Sequence, residues 1–324
     1  MPLIRGKEAQ NYLEVFENIR FMGHVASRHA LPWSETFFVD GENGSDTRHP
    51  GKTPTKAFAT IAKAVAQASR GDVIYIRPQQ YTIGTGFSRY TEDVAVELGG
   101  VGGSGAHATN ADISIIGVTN SLNPEYGVRW TFATAQALLV DAPSLHVENI
   151  WFYAEDATYA IYLRNNGATY TRRGTDGTTF YNCVIKGSGL YAASGGDGLV
   201  IEKCVFHSKY NGTSGGIGAI NISCSANPGT RFRILDCKFY GGNTTEAPAT
   251  CYITIAPPLT QAIIARNIFG TIPTDGHYIN AAGAGNTGQI VDNFFAYSNI
   301  VLETSLHIGG MIQAGNWDTA GIVV

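Results

Sequence analysis

Short apolar runs recur along this chain around one column of residues. The stretch Phe232–Gly241 reads FRILDCKFYG; GLVIEKCVFHS precedes it and AIIARNIFGT follows it. Aligned on the central Cys or Asn, the column is Asn149, Cys183, Cys204, Cys237, Asn267, Asn293 and Asn316, with gaps of 34, 21, 33, 30, 26 and 23 residues. Two positions after the anchor stand Trp151, Ile185, Phe206, Phe239, Phe269 and Phe295. Three positions before it stand Phe180, Ile201, Ile234, Ile264 and Ile290. Asn316 fits least well, with Gln313 before it and Asp318 after it. The clusters are short, β-branched or aromatic, and bounded by Gly, Asn, Ser or Pro, which are strand and turn signals. A helical repeat would instead space its apolar residues at i, i+3, i+4 and i+7 over ten or more positions. A constant core motif at uneven spacing predicts a coiled β-solenoid whose turns lengthen freely into loops.

In-register stacking places identical positions of successive coils ~4.8 Å apart. The anchor column then becomes a ladder in which Asn side chains bond to one another and Cys acts as a small buried apolar residue. The column before it reads Glu148, Asn182, Lys203, Asp236, Arg266, Asp292. Its alternating signs from Lys203 onward are what an exposed cross-strand ladder favours. Strict period 2 fails around the anchor, which predicts a bend inside the motif. Further strands are predicted at Val94–Leu98, Ile113–Val118, Ala137–Val140 and Tyr159–Leu163, with projecting loops at Gly99–Asn110 and Asn165–Gly177.

Upstream, Phe37–Val39 and Val73–Arg77 read as strands. Between them Phe58, Ile61, Val65 and Ala68 predict a short amphipathic helix over residues 58–69, with Gly71 at its stop. Such a helix would cover the open end of the first coil. VDGENGSD, the run from Gly51 to Val65 (G-K-T-P-x-x-A-F-x-T-I-x-x-A-V) and the run from Gly71 to Pro78 (G-D-x-I-x-I-x-P) resemble the opening of right-handed parallel β-helix proteins of the pectate-lyase-like superfamily. In character the chain is most similar to the bacteriophage virion members. The resemblance covers roughly residues 37–318. It implies an all-β chain: a single right-handed parallel β-helix with a short capping helix and an additional N-terminal helical segment. The expected organisation is residues 1–36 for attachment or oligomerisation, 37–84 for the cap and 85–324 for the β-helix. In the first segment Leu13, Phe16, Ile19 and Met22, with Tyr12, line one face of a predicted helix from about Glu8 to Met22.

Charge enters next. Charged residues are 15% of the 324 and the net charge is −4, so no overall field attracts nucleic acid or an anionic membrane. No apolar run is long enough to cross a bilayer, and the first residues lack the apolar core of a secretory signal. Five cysteines, an odd and sparse set, are expected as free thiols. The sequons at Asn211, Asn221 and Asn243 read as turn and strand residues.

Lyases of the resembling superfamily use aspartates for Ca²⁺ and an Arg or Lys base, and its hydrolases use aspartates clustered across coils. Asp236 and Asp292 share a column here, but Arg266 lies between them; Asp197 stands alone in a GGDG turn, and Arg231 and Arg233 flank one strand face without an acidic cluster. If the chain is an enzyme, Asp236, Asp292 and Asp197 are the candidates. Asp40, Asn43 and Asp46 offer oxygen ligands without EF-hand spacing, so Asx-capped turns are the favoured reading and no cofactor is expected. The eight histidines show no metal-ligand spacing; His207 and His277 read as surface. Tyr181, Tyr191 and Tyr210, with Tyr170, are candidate sugar-binding aromatics.

The resulting expectation is a non-catalytic structural protein of a phage virion, made in the host cytoplasm. It would bind other virion proteins of capsid or tail, assemble as a homo-oligomer such as a trimer, and contact surface polysaccharide. The alternative is a tailspike-like depolymerase, a glycan lyase or hydrolase.

Overall fold

The computed structural model describes residues 34–79, 81–82, 86–87, 89–97, 112–118, 127–154, 159–164, 176–187, 189–193, 197–208, 219–223, 229–241, 251–256, 258–270, 277–281, 284–296, 306–307, 310–318 and 321–323. The attachment segment with Leu13, Phe16, Ile19 and Met22 lies outside these residues. So do Tyr170, Tyr210 and the side chain of His277.

Each turn of the chain visits three sheets in fixed order. One coil, for example, runs through His146–Glu148, Ile150–Ala154 and Ile161–Leu163 before Thr179–Tyr181 returns to the first sheet. Ten strands from Thr36–Val39 to Gly310–Ala314 stack as sheet 1; ten from Tyr90–Thr91 to Gly321–Val323 form sheet 2; eight from Val94–Glu97 to Leu306–His307 form sheet 3. All three sheets pair in parallel, except that Gly321–Val323 turns back antiparallel on Asn316–Asp318. Parallel strands require crossovers, and these are right-handed by strand twist. The fold is a right-handed parallel β-helix.

The vertical stacking expected from the sequence is present. On the inner face of sheet 1, Val147, Phe180, Ile201, Ile234, Ile264, Ile290 and Gln313 pair successively. Inside sheet 2, the Phe206, Phe239, Phe269 and Phe295 rings stack 5.0, 4.7 and 5.0 Å apart, all fully buried. Burial of each ring is worth about 1.5–3 kcal/mol, and offset stacking adds to it.

The first anchor needs correction. Val147 pairs with Phe180, and Phe152, not Trp151, pairs with Ile185. Ile150 therefore stands in the anchor column, and Asn149 belongs one position earlier, where its Oδ1 accepts from Asn182 Nδ2 at 2.6 Å. The adjacent Glu148 and Asn149 of VENI allow either alignment by eye; only the paired strands decide. The poorly fitting Asn316 does belong, since its Oδ1 accepts from Asn293 N.

The expected bend is a left-handed residue. Asn149, Asn182, Lys203, Asp236, Arg266 and Asp292 all have φ between 50° and 58°. Each donates its N–H to the next coil, from Asn149 to Tyr181 O through to Asp292 to Ala314 O. Asn and Asp tolerate this conformation best. Lys203 and Arg266 adopt it with their backbone bonded onward and their side chains outside. A second left-handed column precedes sheet 1 and includes Asp112, Ser144, Gly177, Gly198, Arg231 and Gln261. Sheet 1 is thus a set of short strands held between two sharp corners.

The anchor column is a hydrogen-bond ladder at its Asn positions, while Cys183, Cys204 and Cys237 are fully buried in the hydrophobic core, as expected. Asn267, Asn293 and Asn316 Nδ2 donate to the carbonyls of Ile234, Ile264 and Ile290 at 2.8–2.9 Å. Cys183, Cys204 and Cys237 Sγ reach the equivalent carbonyls of Val147, Phe180 and Ile201 at 3.5–3.7 Å. These three thiols and Cys251 are free. Burial pushes the Cys183 and Cys204 thiols well above their ordinary pKa, which disfavours the reactive thiolate.

The cap helix α1 spans Ile61–Gln67, shorter than predicted, because Thr60 caps it and Phe58 bridges Val39 as extended chain. Thr60 Oγ1 accepts from Lys63 N, and Glu92 accepts from Ile61 N and Ala62 N. Gly71 (φ 88°) lies three residues beyond the Ala68 cap. It shapes the turn into Val73–Ile76 and does not stop the helix.

Candidate functional site

Three surfaces carry the candidate residues. The first is the corner between sheets 1 and 2. Asp236 and Arg266 form a bidentate pair there, Nε to Oδ1 2.8 Å and Nη2 to Oδ2 2.7 Å. Asp292 is the next acidic residue of that column, beyond Arg266. A carboxylate clamped by a guanidinium is neutralised and oriented, so the two aspartates do not share a proton or a metal.

The second surface is the corner entering sheet 1, at the opposite end of its strands. Asp197 is placed here, apart from Asp236 and Asp292. It is not isolated, as its turn implied: both its oxygens engage Arg231, Nε to Oδ1 at 2.6 Å. Its N–H donates to Asp176 Oδ1 at 2.8 Å. Arg70 pairs with Asp112 at 2.5 Å nearby. Arg231 and Arg233 therefore do have carboxylates close by, contributed by chain segments 34 or more residues away. These groups surround an open groove of about 600 Å³.

The third surface is the outer face of sheet 3. Tyr162 and Tyr191 are register partners, with rings 5.5 Å apart at 19°. Tyr159 stacks on Tyr191 at 4.5 Å and 17°. All three are half-buried, and burial, then the neighbouring phenols, raises the Tyr159 pKa. The rings lie face against face, so each covers its neighbour's face. Tyr191 was legible as an exposed aromatic; Tyr159 and Tyr162 were missed, although Tyr162 alternates with the buried Ile161 and Leu163, and Tyr159 lies before the strand. Tyr181 faces elsewhere, on sheet 1, where its hydroxyl accepts from Lys203 Nζ at 2.8 Å.

Asp40 and Asp46 serve turns. Asp40 Oδ1 accepts from Glu42 N and Asn43 N, and its Oδ2 from Arg77 and from Asn43 Nδ2. Burial alone would raise its pKa, but Arg77 and these amides outweigh burial and hold it below the ordinary range. Asp46 binds Ala59 N, Thr60 N and Thr60 Oγ1. Among the described residues no group of three His, Cys, Asp or Glu is placed to hold a metal ion, and no helix is long and apolar enough to cross a membrane. His207 is half-buried in a strand, its ring stacked on Tyr240 at 5.5 Å.

No family model and no curated protein matches this chain. Among solved structures it is similar to a rhamnogalacturonan lyase at 16% identity, covering 85% of this chain and 75% of that one, with a TM-score of 0.42. It is also similar to the GH136 lacto-N-biosidase of Eubacterium ramulus at 9% identity, covering 97% and 72%, with a TM-score of 0.31. These are likenesses of fold.

Proposed function

We propose that this protein is a non-catalytic structural β-helix of a bacteriophage virion that binds glycans of a host or its surroundings through the outer face of sheet 3. The observation that carries the glycan reading is the Tyr159–Tyr162–Tyr191 stack. Such a stack offers a pyranose ring the outer face of an end ring for its C–H groups, with ring edges and phenol hydroxyls alongside for hydrogen bonds. The non-catalytic reading is supported by the aspartates at the two corners: Asp236 and Asp197 are each held by an arginine. Glycoside cleavage needs two carboxyl groups ~5–9.5 Å apart, one of them available as an acid.

The virion setting is supported by a shaft built from buried ladders whose described cysteines are all free thiols, and by a ridge of exposed apolar residues. Ile268, Phe294 and Trp317 are register partners on the outer face of sheet 2, 39%, 40% and 47% exposed. Contiguous exposed apolar surface marks protein interaction sites; here it suits a neighbouring subunit of a homo-oligomer, such as a trimer, or another capsid or tail protein. Mass spectrometry of purified particles tests the setting: recovery of this chain in stoichiometric amounts is the expected result, and its recovery from bacterial periplasm alone overturns it. A glycan array tests the site, with Tyr191→Ala lowering binding at least tenfold.

The groove beside Asp176 and Asp197 favours a second reading, a tailspike-like depolymerase. New reducing ends or unsaturated product from a capsular polysaccharide, abolished by Asp176→Asn, would establish it in place of the first.

A further inference from the structure

The outer face of sheet 1 changes character along the shaft. Phe37, Ile74, Ile115 and Val147 point into the tube, so their neighbours in sequence point out. Outward side chains on a bare shaft meet solvent, as Arg233, Gln289 and Ile312 do in the later coils. Over the second to fourth strands they do not. Val73, Ser114 and His146 form one outward column and are 4%, 1% and 4% exposed. Tyr75, Ile116 and Glu148 form the other and are 9%, 3% and 3% exposed. The change comes at the next strand, where Thr179 and Tyr181 are half-buried.

This dry face has its own apolar cluster, separate from the tube interior: Val73, Tyr75 and Ile116, with Phe38 and Val118 packed against them. Phe38 and Tyr75 stack at 5.9 Å. All five belong to sheet 1 or to the residue after its strand Ser114–Gly117. Among the described residues no apolar side chain from another part of the chain joins the cluster. His146 and Glu148 contact each other at 3.3 Å, which lets a polar pair stand beside it away from water. Burial of these outward positions therefore needs a cover from outside the described residues.

The sequence identifies the segment able to supply it. Of the stretches next to these coils, 99–110 has Val101 as its one large apolar residue, 165–175 has Tyr170, and 119–126 has Leu122 and Tyr126. Residues 8–22 carry Tyr12, Leu13, Phe16, Ile19 and Met22 at helical spacing. Dimensions agree as well. From Phe38 to Glu148 the face spans three strand spacings, ~14 Å, and a helix over residues 8–22 is about 22 Å long. Residues 23–33 can reach up to about 36 Å, and the chain enters the described fold at Ser34, just before the first strand of this same sheet.

We propose that residues 1–33 fold back onto their own shaft, laying the Leu13–Phe16–Ile19–Met22 stripe across Tyr75 and Ile116. The inference goes beyond the glycan and virion readings and depends on neither. It gives the N-terminal segment a place on the shaft instead of the attachment role expected from the sequence.

Photo-cross-linking in the intact chain tests it. p-Benzoylphenylalanine in place of Tyr75 is irradiated and the adducts are mapped by tryptic mass spectrometry. Expected are intramolecular adducts within residues 8–22. Adducts anywhere else, whether to 99–110, 119–126, 165–175 or sheet 1 alone, overturn the proposal, as do cross-linked dimers or the absence of any adduct. Paired charge substitutions supply a second measurement. Phe16→Asp with Ile19→Asp should lift the stripe and raise anilinonaphthalene sulfonate fluorescence about threefold or more, with the β-sheet circular dichroism unchanged. Asn11→Asp with Asn18→Asp, on the opposite face of the predicted helix, should leave the fluorescence as it was. An equal rise for both pairs, or for neither, also overturns the proposal. If the Phe16 and Ile19 double variant fails to fold, the adduct map decides alone.

Discussion

Replacing Asn293 with Ala removes the middle of the buried ladder. Asn293 Nδ2 donates to Ile264 O at 2.9 Å, and its Oδ1 accepts from both Asn267 N and Asn267 Nδ2 at 2.9 Å. Alanine leaves one carbonyl and two N–H groups without partners, in a column where Asn267 and Asn293 have no solvent exposure. Each stranded buried group costs about 1–3 kcal/mol, so a loss of roughly 3–9 kcal/mol is expected for the three. Asn293→Cys is the informative comparison. A thiol there has one hydrogen to offer between two carbonyls, as Cys237 does with Leu235 O at 3.2 Å and Ile201 O at 3.6 Å, so with the preceding-coil carbonyl served only the two Asn267 donors are stranded and the loss falls to roughly 2–6 kcal/mol. Urea unfolding followed by far-UV circular dichroism measures both, and hydrogen exchange at the Asn267 amide locates the damage. An Asn293→Ala cost below about 1 kcal/mol, or equal costs for Ala and Cys, would refute the claim that donation to the preceding coil is what the column supplies.

The same column predicts that Cys237→Asn is tolerated and raises stability by about 0.5–1.5 kcal/mol, since amide donors and acceptors replace a weak thiol; a fall in Tm would contradict this. Gly288→Ala should destabilise by roughly 2–4 kcal/mol, because φ is 143° and a Cβ would overlap the Ala262 backbone; an unchanged denaturation midpoint would count against the register. Acid stability should depend on Asp93. Burial raises its pKa, but Thr134 Oγ1 and the amides of residues 133–135 outweigh burial and hold it low. A lowered folded pKa contributes stability above the unfolded value, lost as pH falls through the folded one, so Asp93→Asn should flatten the Tm profile below about pH 4. Glu92 shifts the other way: burial outweighs the α1 amides and raises its pKa. Its contribution is therefore present below the unfolded value and fades as pH rises through the folded one. Glu92→Gln should remove that fade, and a Tm profile unaltered above pH 4.5 would argue against it.

The sequence by itself determined the solenoid. Ile201, Ile234 and Ile264 announce it because a stacked coil must present the same residue class inward at every turn, however long the loops between. The FRILDC motif also carried its bend, since the alternation breaks where Asp236 takes a left-handed conformation. The cap was legible for the same local reason, an apolar stripe at helical spacing, although its ends are set by Thr60 and Ala68 and not by Gly71. Only the tertiary structure decided which residues meet across coils. It moved Asn149 out of the anchor column and Ile150 into it. It paired Asp197 with Arg231 across 34 residues of chain and assembled Tyr159, Tyr162 and Tyr191 into one stack. Loop lengths set how far apart these partners lie in sequence, and a solenoid leaves loop length free. Spatial neighbours one coil apart are fixed by strand register, and register exists only once backbone hydrogen bonds have formed.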